Sequence, residues 1–110
     1  MDEIDELRDA LDRLHAALDD LIVRGLRAAG SPELARLTAL RDEFRQAGAE
    51  HLAGRLGDLV DRVGADERAA APALLRTMTA ARLFDRMLTL EFASAALTAA
   101  AATVPVEEGG

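Results

Sequence analysis

A chain of 110 residues with a formal charge of -7, half of it apolar but only 3% aromatic, fits one domain built from leucine, alanine and valine, the composition of a helical protein. Its basic residues are all arginine and it has no cysteine, which excludes Schiff-base lysines, a phosphate-loop lysine, thiol nucleophiles, thiolate zinc sites and disulfides. The acidic balance, with arginines interspersed among acids and few aromatic platforms, opposes nucleic-acid binding, which needs clustered cations and stacking surfaces.

From Ile4 the apolar positions run Ile4, Leu7, Leu11, Leu14, Leu18 and Leu21, the three-four alternation of a short coiled-coil seam. Ile22, Val23 and Leu26 then widen the stripe, as where a helix enters a globular core. Asp2, Glu3, Asp5, Glu6 and Asp9 suit the positive end of this helix dipole, and Arg24 and Arg27 its negative end. Gly30-Ser31-Pro32 reads as a glycine stop, a serine cap and a proline at the first helical position, so helix 1 is expected to end near Ala29 and helix 2 to begin near Pro32.

Helix 2 presents Leu34, Leu37, Leu40 and Phe44 and stops at Gly48. Helix 3 presents Leu52, Leu56, Leu59, Val60 and Val63 before Gly64, with Asp66 placed to cap the next helix. Ala53, Gly54, Gly57 and Gly64 lie well round from that apolar face. Interior glycines cost roughly 0.5 to 1 kcal/mol each relative to alanine. Gly54 and Gly57 therefore either let another backbone approach closely or are exposed and tolerated.

Helix 4 is expected from about Pro72, or slightly before, to about Ala102. It carries one stripe of Leu74, Met78, Ala81, Phe84, Leu88, Phe92 and Ala95, and a second, roughly opposite, of Leu75, Leu83, Met87, Leu90 and Leu97. A helix apolar on both sides is central to its domain or shared with a second chain. The expected fold is thus all-α, an antiparallel bundle of four helices with long first and last helices and a short middle pair. It forms a single domain over residues 1–103, followed by a flexible acidic tail over residues 104–110. The acidic start Met1-Asp2-Glu3 lacks the basic residues and apolar run of a signal peptide, and the expectation is a cytoplasmic protein without a membrane span.

The chemistry-bearing residues do not converge. His15 has Asp12 and Asp19 at helical-neighbour spacing, and His51 follows Glu50, but a metal needs three or four convergent ligands and a di-iron bundle needs paired Glu-x-x-His motifs, which this sequence lacks. Asp85 falls near the Leu74, Met78 and Phe92 side and calls for an ion pair with Arg82, Arg86 or an arginine from another helix. Ser31 reads as a cap, Ser94 as a small packing residue, and the Gly54-Arg55-Leu56-Gly57 stretch lies inside a helix, so it is no phosphate loop. No catalytic, cofactor-binding or metal residue is assigned. The expected interface residues are Leu7, Leu11, Leu14 and Leu18 on helix 1 and Leu83, Met87, Leu90 and Leu97 on helix 4, with Gly54 and Gly57 for close packing. They serve a protein partner or a homo-oligomer. The alternative is a small helical bundle binding a ligand, or a metal near His15 or His51.

Three segments carry a resemblance. They are Leu18-Asp19-Asp20-Leu21-Ile22-Val23-Arg24-Gly25-Leu26, then Gln46-Ala47-Gly48-Ala49-Glu50-His51-Leu52-Ala53-Gly54-Arg55-Leu56, and Leu74-Leu75 with Ala80-Ala81-Arg82-Leu83-Phe84. Across roughly residues 18 to 92 the chain resembles the helical region accompanying bacterial SWIM zinc-finger proteins, which are often encoded beside a MoxR-type AAA+ ATPase and a von Willebrand A-domain protein. The zinc finger of that family uses cysteines, absent here, so neither its metal nor its DNA function carries over. What the resemblance implies is a stand-alone helical adaptor working with an ATPase system.

Overall fold

The computed structural model describes residues 3–65 and 68–103, and these form an all-α bundle of four helices: α1 (Glu3–Arg24), α2 (Ser31–Gln46), α3 (Glu50–Gly64) and α4 (Ala70–Thr103). Asp66 and the tail of residues 104–110 lie outside the described residues. Ion pairs and hydrogen bonds set the directions. Arg24 at the end of α1 reaches Glu33 at the start of α2, Arg13 reaches Glu43, Thr77 of α4 meets Arg55 of α3, and Arg8 of α1 meets Asp85 of α4. Consecutive helices therefore run antiparallel, and α4 closes the ring against α1.

Helix 1 stops earlier than the sequence pattern predicts. Its backbone ladder ends where the Gly25 N–H donates to Leu21 O at 2.7 Å, and Gly25 then takes φ +90, a conformation that side chains with a Cβ resist. One 3-10 turn, Leu26–Ala28, follows before α2. Ser31 is likewise not the cap: Gly30 is, and Ser31 and Pro32 are the first two helical residues. The Gly30 N–H donates to Glu33 Oε1 at 2.8 Å, so the glutamate supplies one half of a capping box whose other half a glycine cannot return. That bond, then Glu33's own backbone N–H and the nearby Arg24 and Arg36, hold the Glu33 carboxyl below the usual carboxylate range.

The α2–α3 corner is a Schellman turn. Gly48 has φ +91, the Ala49 N–H donates to Phe44 O at 2.8 Å and the Gly48 N–H to Arg45 O at 3.1 Å, satisfying carbonyls the helix end would leave open. Pro72 sits in the first turn of α4, where its missing N–H costs no helical bond.

The core is leucine and alanine with one aromatic pair. Phe44 is fully buried and meets Phe84 edge-on, with ring centroids 5.8 Å apart at 89°. Thr77 is the one buried polar side chain among the described residues; its hydroxyl donates to Ala73 O at 2.8 Å and to Arg55 O at 3.2 Å. The bundle is slender, 67 × 22 × 22 Å. At about 1.5 Å per residue, α1 spans about 33 Å and α4 about 51 Å, so the last helix outruns the bundle.

Candidate interaction surface on the last helix

One side of α4 completes the core. Ala73, Leu74, Thr77, Ala80, Ala81 and Leu88 are buried, and Met78 and Phe84 pack against them. This burial stops at Leu88. Phe92 and Ala95, grouped by spacing with that inner stripe, are exposed, as is every residue from Thr89 to Ala102. The reason is supply: Leu7, one turn into α1, packs beside Phe84 and Leu88, and among the described residues no helix other than the first turn of α1 lies past that point to cover α4.

The opposite side of α4 is open along its whole length. Leu83 is 53% exposed, Met87 56%, Leu90 69% and Leu97 71%, with Leu75 also open near the start of the helix. At about 100° per residue these side chains share one face, turned away from the buried stripe. Beside Leu83 and Met87 lies a shallow, mainly apolar cavity of about 440 Å³, bounded also by Ala49, His51, Leu52 and Phe84. It is a groove between the start of α3 and the middle of α4.

The other half of the expected interface is corrected. Leu11, Leu14 and Leu18 are 1%, 0% and 2% exposed and belong to the core of their own chain, and Leu7 is half-buried against it. The α1 seam is coiled-coil-like because α2 and α4 flank it, so it presents nothing to a second chain.

The glycines also divide. A methyl group built on Gly54 meets nothing within 4 Å, so this position faces open space and no backbone approaches it. On Gly57 it meets the Arg41 side-chain stem of α2 at 3.4 Å, which is side-chain contact and not a close approach of helix backbones. Ala53, placed with these small residues by spacing, is fully buried.

Charged groups tie the bundle together from outside. Asp85 is only half-buried and pairs with Arg8 of α1 at 3.1 Å, not with its own helix neighbours; Arg8 also donates to Thr89 Oγ1 at 3.2 Å. Arg13 grips Glu43 with both terminal nitrogens, at 3.0 and 2.6 Å. That hydrogen-bonded carboxylate, above all, raises the arginine's pKa further. His15 on α1 is half-buried and His51 on α3 is exposed. Among the described residues no group of three or more His, Asp or Glu could hold a metal ion, and no helix is long and apolar enough to cross a membrane.

Two residues of consequence escape a reading by burial pattern. Arg86 and Glu91 are exposed on opposite flanks of the outer stripe. Their signal is position relative to the stripe, visible only once the stripe is known to be uncovered. No protein-family model, curated protein or solved structure matches this chain.

Proposed function

We propose that this chain is a non-catalytic, cytoplasmic protein-interaction module, an adaptor or small subunit, that joins another protein chain through the outer face of α4. One observation carries the reading: Leu83, Met87, Leu90 and Leu97 stand on one face, each more than half exposed, on a helix that continues past its bundle. Compact monomers seldom leave a contiguous stripe of large apolar side chains in water. The resemblance to helical regions encoded beside ATPases makes a protein of such a system a candidate for the larger assembly.

Sedimentation velocity on the purified chain, and size-exclusion of the chain mixed with extract of its host, test this reading, each repeated with Leu90→Asp. The expected result is a complex, with itself or with a host protein, that the substitution dissolves while helical circular dichroism is kept. A chain that sediments as a monomer in both settings, or a complex indifferent to Leu90→Asp, would sink the reading.

A further inference from the structure

The uncovered face of α4 has a stricter pattern than mere apolarity. Leu83, Met87, Leu90, Ser94, Leu97 and Ala101 follow one another at steps of four, three, four, three and four residues, the spacing of a two-stranded coiled-coil seam with leucine at every d position. Each of these side chains is exposed, and the buried stripe of α4 lies on the other side of the helix; only the start of α3 borders the seam, along the groove beside Leu83 and Met87. The seam thus starts on the bundle and runs out along the projecting arm.

We propose that the occupant of this face is a second copy of the same chain, with the two α4 helices parallel and in register. This rests on the reading of α4 as an interaction surface and adds the partner and its direction. The flanking charges select both. In this frame Arg86 occupies the g position before Met87, and Glu91 the e position after Leu90. In a parallel pair a g residue faces the e residue five positions further on in the other chain, which is the separation of Arg86 and Glu91. The twofold axis repeats the contact, giving two cross-pairs between opposite charges. Within one chain the two residues stand on opposite flanks and do not meet, and no ion pair engages either among the described residues. An antiparallel pairing in register on Leu90 sets Arg86 against residues 93–94 and gives Glu91 no cation. Small residues at Ser94 and Ala101 bring the two backbones close along the arm.

Ionic pairs at such positions set orientation more than affinity, and the test is built on orientation. The native chain has no cysteine, so Ser94→Cys introduces a single thiol at a seam position that faces its own equivalent, within disulfide reach, in the parallel in-register pair, whereas the antiparallel pair in register on Leu90 sets it against residue 86. The expected result is a mass of twice 11.7 kDa for the wild type by light scattering, and a disulfide-linked dimer of Ser94→Cys on mild oxidation. Arg86→Glu is expected to weaken the dimer about tenfold, and adding Glu91→Arg to restore it, because two attractive contacts become repulsive and then attractive again. A dimer that Ser94→Cys does not crosslink, or a double variant no tighter than Arg86→Glu, overturns the parallel pairing while leaving α4 as an interaction surface. A monomer that forms a complex with a host protein, lost in Leu90→Asp, overturns self-pairing alone. A monomer in every setting overturns both.

Discussion

The leucines of α1 and those on the outer face of α4 have opposite surroundings. Leu11, Leu14 and Leu18 are enclosed by their own chain, whereas Leu83, Leu90 and Leu97 stand more than half in water. Both sets sit on long amphipathic helices with leucine at regular steps. What separates them is the number of neighbours available. The ring of four helices gives α1 two flanks, and gives α4 two flanks only as far as Leu88 and on one side. A leucine stripe therefore marks a face that needs covering, and topology decides whether the chain covers it itself.

The sharpest way to break this comparison is to place the same charge in both stripes. Leu14→Asp puts a carboxylate with no partner into a fully buried site, and a loss of more than about 4 kcal/mol, enough to abolish the cooperative melt, is expected. Leu90→Asp on the outer face is expected to change the stability of the isolated bundle by only about 0.5 kcal/mol. Thermal melts followed by circular dichroism, run at concentrations low enough to keep the chain unassembled, read both. If Leu90→Asp unfolds the bundle as Leu14→Asp does, the two stripes are equivalent and the assigned surface is wrong.

Smaller substitutions sharpen the contrast between packed and open positions. Gly54→Ala is expected to stabilise α3 by about 0.5 to 1 kcal/mol, since the added methyl group meets nothing and glycine's entropic cost is removed. Gly48→Ala is expected to destabilise by a similar amount, about 1 kcal/mol, because φ is +91 at that position. Urea midpoints moving in the same direction for both would contradict the assigned roles.

The smallest effect concerns the start of α2. The Glu33 carboxyl is held below its ordinary pKa chiefly by the Gly30 N–H. A depressed carboxylate contributes stability that is present above its unfolded pKa and is lost as pH falls through its lower folded value. Glu33→Gln is therefore expected to lower the melting temperature at neutral pH, and the gap from wild type to close in acid. A gap that is constant with pH would mean that the cap bond, not the charge, is what Glu33 supplies.

Several features of the fold are legible in the sequence. The helical class, the four segments, the stop at Gly48 and the inner stripe through Leu74, Ala81 and Leu88 follow from local propensity and a 3.6-residue period, which adjacent residues fix among themselves. The Gly30-Ser31-Pro32 stretch places the end of helix 1 near Ala29, whereas in the structure the helix ends at Arg24 because Gly25 adopts the positive φ. Asp85's partner was legible as a need and not as an identity, since Arg8 is brought to it only by the closure of α1 on α4.

The sequence by itself thus determined which residues form helices and which faces of those helices are apolar, because both depend on interactions a few residues apart. Only the tertiary structure decided that the leucines of α1 are interior, that Gly54 faces open space and that Leu83, Met87, Leu90 and Leu97 remain uncovered. Burial depends on which segments, distant in the chain, come to lie alongside, and on where the shorter ones end.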